Sequence, residues 1–405
     1  MFILRAMATL AAVLLLAGVL WDAFETVVLP RRVSRRFRLA RAYFRSTWRA
    51  WSALAQRVPS GERREAVRAI YGPLALLVLL ALWVFLLIVA YALLLWGLGS
   101  PLAITGGAAA GFGADLYFSG TTLLTLGLGD VIPHARPARA VAVLEVGTGF
   151  GVLALVIGYL PALYQAFSRR EMRISLLDAH AGSPPTAGAL LLRHPPARRA
   201  QRLTVILAEW EAWSAELLET HLSYPILAYY RSQHEDQSWV AALAMILDAC
   251  ALVLVCERSL VRDEELAEQA AFTFAMARHA AVDLAQVFHT PRFQVVVSHG
   301  RLPPDERTRL RDLLATVGGA SDAGTGGRVE SRLDELRALY EPYMQGLSAY
   351  LLMALPPWVP APDTLDDWQT TADEVTAPSI SALVTHTRIG EQRRQVMPAD
   401  RAPGL

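Results

Sequence analysis

The sequence predicts an all-α membrane protein with a soluble helical domain after its last membrane span. Its 405 residues are 54% hydrophobic and 19% charged, too apolar for an ordinary soluble chain and too charged for one lying wholly in lipid. Three apolar runs reach the about 20 residues that a helix needs to cross a bilayer: Ala6 to Leu29, Pro73 to Leu98 and Ala140 to Phe167. After residue 199, apolar residues recur at helical spacing without the alternation of strands.

Residues 1–30 hold the first span, and the charges that follow predict its direction. Arg5 precedes the run, as a basic residue does in a cleaved signal peptide. Twelve arginines and only two acids lie between Arg31 and Arg68, however, and the positive-inside rule assigns such a segment to the cytoplasm. We therefore expect a retained helix in the cell (inner) membrane, with its N-terminus outside and the C-terminal domain cytoplasmic. Asp22 and Glu25 end this span, and an interface position accounts for both.

The basic segment 31–69 has arginines at helical spacing with aromatic residues between them: Arg38, Arg41, Arg45 and Arg49, with Phe37, Tyr43, Phe44, Trp48 and Trp51. A voltage sensor also places arginine at every third or fourth position. The alternative is a helix lying on the anionic inner leaflet, with its aromatic rings dipping into the interface. We favour the surface helix, because arginines at the centre of a bilayer are costly.

The stretch between the second and third spans interrupts the apolar pattern. Asp115 to Leu124 predicts a short helix with Asp115 near its N-terminus, as capping prefers. Such a helix is about 15 Å long, half a membrane, and the extended stretch Thr125 to Asp130 would then climb back out. Non-helical backbone at membrane depth must line water or be buried in protein, so this stretch predicts a pore lining.

The residue types of this stretch suit an ion. Backbone carbonyls can replace the hydration of a cation if successive ones point to the same side, which requires left-handed geometry at alternate residues. Gly127 and Gly129 permit that geometry without steric cost, and Thr125 would supply the innermost site. The short helix would aim its negative end at the cation, with Asp130 at the outer mouth. One copy supplies one wall, so four copies must meet around an axis.

Thr125-Leu126-Gly127-Leu128-Gly129-Asp130 resembles the selectivity filter of potassium channels, whose pattern is Thr-Val-Gly-Tyr-Gly-Asp. The order of helix, pore helix, filter and helix is similar to the two-helix pore module of that superfamily, over residues 70–168. The resemblance implies a homotetramer that conducts K⁺ passively, with permeant K⁺ ions in the filter and no cofactor.

Two positions depart from the family pattern, since Leu126 replaces valine and Leu128 replaces tyrosine. In the family the tyrosine braces the filter through a hydrogen bond to the pore helix, which leucine cannot donate. The strictness of K⁺ over Na⁺ selectivity is therefore open. The alternatives are a weakly selective cation channel and a non-conducting membrane-anchored signalling or scaffold protein with a degenerate pore.

The third span contains further candidates. Glu145 is an ionisable group within a span, hence a functional candidate, and we expect it to support the filter through Thr121 or Thr122. Glycines and a proline farther along predict either a gate hinge or close helix packing: Gly147, Gly149, Gly151 and Pro161.

The remaining chain predicts a linker at 169–198, an all-α domain at 199–360 and a disordered tail at 361–405. Its helices are expected at Ala200–Leu222, Trp239–Val255, Asp263–Val287, Pro304–Val317 and Arg328–Met353. Trp239–Val255 is better explained as a buried helix than as a fourth span, because Asp248 lies at its centre. Cys250 and Cys256 predict reduced thiols, and no catalytic triad, structural metal spacing or nucleotide fingerprint is present. We expect no enzyme and no nucleic-acid partner, and the regulatory ligand stays unknown.

Overall fold

The computed structural model describes residues 2–29, 39–59, 61–104, 111–182, 184–232, 237–256, 264–290, 301–318 and 326–360. Two predictions therefore lie outside the described residues, the disordered tail at 361–405 and the place of Arg38 in the basic helix. The chain forms two compact units. The N-terminal unit comprises Met1–Phe167 and Thr220–Arg231, and the C-terminal unit comprises Ser168–Glu219 and Ser232–Leu405.

Where it is described, the first part of the N-terminal unit contains α1 (Phe2–Val27), α2 (Leu39–Ala55), α3 (Gly61–Gly97), α4 (Phe112–Leu123) and the greater part of α5 (Arg136–Ala181). Within the described ranges, α1, α3 and α5 are long and apolar enough to cross a membrane. The prediction of an all-α membrane protein is therefore confirmed.

Helices α1 and α3 pack closely along their apolar faces. A Cβ at Gly97 would lie 2.2 Å from the hydroxyl oxygen of Thr9, so only glycine fits this approach. Asp22 in α1 is only 5% exposed, and its carboxylate accepts from Trp83 Nε1 at 3.1 Å and from the Ala40 amide at 3.2 Å. The carboxylate therefore ties α1 to α3 and to the start of α2, while the interface position of Asp22 and Glu25 stays a prediction.

The predicted basic helix exists as α2, and its described aromatic residues contact protein neighbours. Trp48 is buried, Trp51 Nε1 donates to the Val67 carbonyl at 3.0 Å, and Tyr43 Oη donates to the Ala75 carbonyl at 3.0 Å. The aromatic face of α2 therefore packs on α3. Arg49 is exposed, so this residue of the basic face lies outside the packing on α3.

A two-stranded sheet interrupts the helical pattern and was not predicted. Strands β1 (Leu102–Ile104) and β2 (Val131–Pro133) are antiparallel, with Ala103 opposite Ile132. The His134 amide donates to the Pro101 carbonyl at 3.0 Å and extends the pairing. The sheet fastens the chain that leaves the predicted filter to the chain that leaves α3.

The C-terminal unit is helical where it is described: α6 (Ala187–Arg193), α7 (Arg199–Ser223), α8 (Trp239–Val255), α9 (Glu264–Val287), α10 (Pro304–Gly318), α11 (Gly326–Ala338) and α12 (Glu341–Leu351). Helices α7 to α10 match their predicted bounds closely. The predicted helix Arg328–Met353 is instead two helices. Pro342 has no amide hydrogen to donate and is the second residue of α12, which begins at Glu341.

The predicted linker at 169–198 is mostly helical. Helix α5 continues to Ala181, and α6 follows with Thr186 as its N-cap, the Thr186 hydroxyl accepting from the Ala189 amide at 3.2 Å. Leu190 and Leu191 are fully buried. The high content of Pro, Ala and Gly between residues 183 and 196 indicated a linker, but the short apolar run within it is buried in a core.

A buried network of charges holds α8, α11 and α12 together. Arg301 contacts Asp248 at 2.6 and 2.9 Å and Glu341 at 3.3 Å, and Arg337 Nε contacts Glu341 at 3.0 Å. Burial works to raise the pKa of Glu341, but the two arginines outweigh it and hold the pKa below its usual range. The charge of Asp248 at the centre of α8 is thus compensated within the protein.

Glu341→Gln should lower the free energy of unfolding by about 3–5 kcal/mol, because it leaves two buried guanidinium groups facing a neutral side chain. Glu335→Gln is the matched control, since Glu335 is 64% exposed where it pairs with Arg332, and should cost about 1 kcal/mol or less. Thermal unfolding of the purified full chain measures both. Equal shifts in Tm would contradict a stabilising role for the buried network.

Candidate functional site

The short helix after the second span is α4, which begins three residues before the prediction. Its N-cap is Gly111 and makes no side-chain capping bond. Asp115 does not cap the helix as predicted. It is fully buried and accepts from Ser100 Oγ at 2.6 Å, which anchors α4 to the residues that leave α3.

The chain after α4 has alternating backbone geometry. Thr125, Gly127 and Gly129 have φ angles of +59°, +58° and +80°, while the intervening Leu126 and Leu128 do not have positive φ. The left-handed geometry predicted for the two glycines is present, and Thr125 shares it. This alternation turns successive peptide units so that their carbonyls can face the same side.

The last turn of α4 holds the start of this stretch through main-chain bonds. The Thr125 amide donates to the Thr122 carbonyl at 3.0 Å, and the Leu126 amide donates to the Thr121 carbonyl at 2.8 Å. The Thr121 hydroxyl donates to the Phe118 carbonyl at 3.0 Å. Thr121 and Thr122 therefore contact the stretch through their backbones.

Glu145 is fully buried in α5, as expected for a supporting residue. Its Oε1 accepts a hydrogen bond from Ser119 Oγ on α4, so the predicted partners Thr121 and Thr122 are wrong. The error has a geometric reason, since Ser119 is the hydroxyl on the face of α4 that meets α5. One turn further along, Thr148 hydrogen-bonds Tyr91 Oη at 2.7 Å and joins α5 to α3.

Tyr117 is a residue that sequence reasoning missed. Its Oη donates to Asp130 Oδ2 at 2.9 Å and so joins α4 to the end of the stretch. Leu128 cannot donate a hydrogen bond to the short helix as a tyrosine there would. Tyr117 joins the same two elements in the reverse direction, since it donates from α4 to Asp130. An aromatic residue on the short helix, two positions after Asp115, was the available signal.

The glycines of α5 divide by what surrounds them. A Cβ at Gly149 would lie 2.0 Å from the Leu123 carbonyl oxygen, whereas a Cβ at Gly147 or Gly151 would meet nothing within 4 Å in this chain. Gly149 is therefore a close-packing glycine against the end of α4. The hinge role of the others, and of Pro161 within the continuous helix, stays a prediction.

Among the residues that the structure describes, apolar side chains on one side of this site are exposed. Leu126 and Leu128 are 59% and 61% exposed. Exposed apolar side chains continue along the nearby elements: Leu124, Val143, Leu144, Val146, Phe150, Leu153 and Ile157. In the parts of the chain that the structure describes, no group of three or more His, Cys, Asp or Glu side chains could hold a metal ion.

Comparison with known proteins identifies the module that contains this site. Residues 76–165 match the model of a family described as ion channel, a range that covers most of α3, all of α4, the alternating stretch and the first part of α5. Residues 76–165 are therefore similar to the ion channel family, and the chain as a whole has the long apolar helices of a membrane protein.

A relative is the "Uncharacterized membrane protein YdjJ" of Bacillus subtilis (strain 168). It is 25% identical over 203 residues, which cover 49% of this chain and 58% of that protein. The match thus spans little more than half the length of the relative. No solved structure matches the chain.

Proposed function

We propose that the protein is a passive potassium channel in which four copies of Thr125–Asp130 form the selectivity filter. The observation that carries the proposal is the left-handed geometry at Thr125, Gly127 and Gly129, directly after a helix of 12 residues, which is too short to span a membrane. In that geometry the backbone carbonyls replace the hydration shell of K⁺, and no cofactor takes part. The C-terminal end of α4 adds negative potential at the cation.

Two contacts behind the filter support this function. The bond from Ser119 to Glu145 fixes α4 against α5, and the bond from Tyr117 to Asp130 fixes the outer mouth. Both act on elements that carry carbonyls rather than on the ion. These two contacts support strict selectivity although position 128 is a leucine. The hydrogen bond that the family's tyrosine makes from this position cannot form with Leu128, and its loss favours the weakly selective alternative.

Assembly as a homotetramer would cover the apolar residues that one chain exposes beside the filter, Leu126 and Leu128 among them. The arginine excess before α3 supports a cytoplasmic α2, an external N-terminus and a cytoplasmic C-terminal unit. In that orientation, Arg41, Arg45 and Arg49 would lie at the anionic inner leaflet, where each basic residue adds about 1 kcal/mol of attraction.

Cation uptake into liposomes tests the proposal. Purified protein should take up Rb⁺, a stand-in for K⁺, faster than Na⁺ by about tenfold or more, which corresponds to a barrier difference of ~1.4 kcal/mol. Equal Rb⁺ and Na⁺ uptake would indicate a weakly selective channel. No uptake above that of empty liposomes would favour the scaffold alternative, and chemical cross-linking in lipid that stops at a dimer would exclude the four-copy filter.

A further inference from the structure

A short segment of the chain returns to the N-terminal unit after leaving it. The first part of the N-terminal unit runs to Phe167, and the chain then enters the C-terminal unit at Ser168. Residues Thr220–Arg231 belong to the N-terminal unit again. This return segment contains the last turn of α7 and the 3₁₀ helix Pro225–Tyr229. Both of its ends continue into the C-terminal unit.

The return segment packs on α2 and α3 through a cluster of rings. The Tyr229 ring centroid lies 5.3 Å from those of Trp48 and Tyr71, and 6.3 Å from that of Phe44. Arg231 Nη1 contacts Glu65 at 2.9 Å. These contacts fix the segment against the basic helix and the first turns of α3.

The fit against α3 leaves no spare room at one point. A Cβ at Gly72 would lie 2.8 Å from the Tyr230 ring and 3.2 Å from the Tyr229 carbonyl. Close contact of backbone and rings makes the segment a fixed part of the N-terminal unit, although most of α7 belongs to the other unit.

The same segment also holds α5 at two places. Tyr224 contacts Tyr159 with ring centroids 5.5 Å apart in an edge-to-face arrangement, and Tyr230 contacts Phe167 at 5.6 Å. Tyr159 and Phe167 lie on either side of Pro161. Proline removes a main-chain hydrogen bond from a helix and favours a bend there. The segment therefore contacts α5 both before and after the position where this helix bends most easily.

We propose that the return segment is a coupling strap, which restrains the bending of α5 at Pro161 and transmits movement of the C-terminal unit to the ion pathway. The inference rests on the proposed function, because α5 is then the helix that lines the pore. A bend at Pro161 changes the separation of Tyr159 and Phe167, yet both are tied to one short segment fixed on α2 and α3. Any ligand or force that displaces the C-terminal unit pulls on this segment through the chain itself.

Reversible cross-linking in liposomes tests the strap. Tyr159→Cys with Tyr224→Cys, joined by a bis-maleimide with a disulfide in its spacer, should lose flux by about tenfold or more and regain it on reduction. The control pair, Tyr71→Cys with Tyr229→Cys, has a ring spacing of 5.3 Å and joins the strap to α3 only. Adding the linker to this double variant should leave its flux at the value measured before cross-linking. Unchanged flux in the first pair, or equal losses in both pairs, would overturn the proposal.

Hydrogen exchange gives a second readout that does not depend on conduction. Tyr224→Ala should speed exchange of the α5 amides around Pro161 and leave those in the middle of α3 unchanged. Equal exchange in wild type and variant would refute the strap even if flux is normal. Absence of Rb⁺ flux in the wild type would refute the channel function alone, since the exchange result still decides whether the segment restrains α5.

Discussion

Gly127→Ala should abolish ion flux, with a loss of about a hundredfold or more. Gly127 has φ of +58°, where an L-residue with a Cβ costs about 1–2 kcal/mol, hence about 4–8 kcal/mol in a ring of four copies. The backbone can relieve that strain by leaving the left-handed region, which turns a carbonyl away from the ion. Rb⁺ uptake into liposomes measures the loss.

Gly18→Ala is the matched control for this variant. Gly18 lies inside α1, lacks a positive φ, and a Cβ there would meet nothing within 4 Å, so Rb⁺ uptake should match the wild type. The assembled state of both variants should be compared in lipid, because loss of the tetramer would remove flux without any change in the filter. Full uptake by assembled Gly127→Ala protein would contradict conduction through residues 125–129.

The backbone geometry of residues 125–130 was largely predictable because its signals are local. Two glycines spaced by one residue, after a run too short to span a membrane, indicated left-handed geometry at Gly127 and Gly129, and both have positive φ. The left-handed φ of Thr125 was not predictable by the same reasoning, since threonine does not favour that region. The bonds from Thr125 and Leu126 to the last carbonyls of α4 supply the compensation.

The partners of the supporting residues could not be read from the sequence. Glu145 was expected near Thr121 or Thr122, but which hydroxyl meets it depends on the rotation of α4 against α5, and Ser119 takes that place. The aromatic face of α2 posed the same difficulty. Rings between arginines fit a lipid interface or a protein neighbour equally well, and only the fold provides Tyr71 and Tyr229 as that neighbour.

Long-range contacts explain the remaining differences. The return segment is anchored by Tyr229 on Trp48 and by Arg231 on Glu65, pairs far apart in the chain with no pattern that joins them. The break before α12 was different, because Pro342 stood inside the predicted helix and is a readable stop signal. The helix α6 does depend on long-range packing, because Leu190 and Leu191 are fully buried and the local sequence does not show what they pack against.

Gly149→Ala should reduce Rb⁺ flux by about tenfold or more and weaken the preference for Rb⁺ over Na⁺. The added Cβ would lie 2.0 Å from the Leu123 carbonyl oxygen, and because that atom is backbone, the end of α4 itself must shift. Leu123 lies two residues before Thr125, so the shift displaces Thr125 and the carbonyls beside it. Rates of Rb⁺ and Na⁺ uptake measured on the same liposome preparation report both effects.

Gly151→Ala separates packing from hinge motion at this point of α5. A Cβ at Gly151 meets nothing within 4 Å in the chain, yet alanine stiffens a helix at either position. If Gly149 acts through its contact with α4, Gly149→Ala loses selectivity while Gly151→Ala keeps it. If the flexibility of the glycines is what matters, both variants slow the flux to the same degree. The ratio of Rb⁺ to Na⁺ uptake then stays unchanged, because bending of α5 alters how often the path opens and does not alter the spacing of the carbonyls.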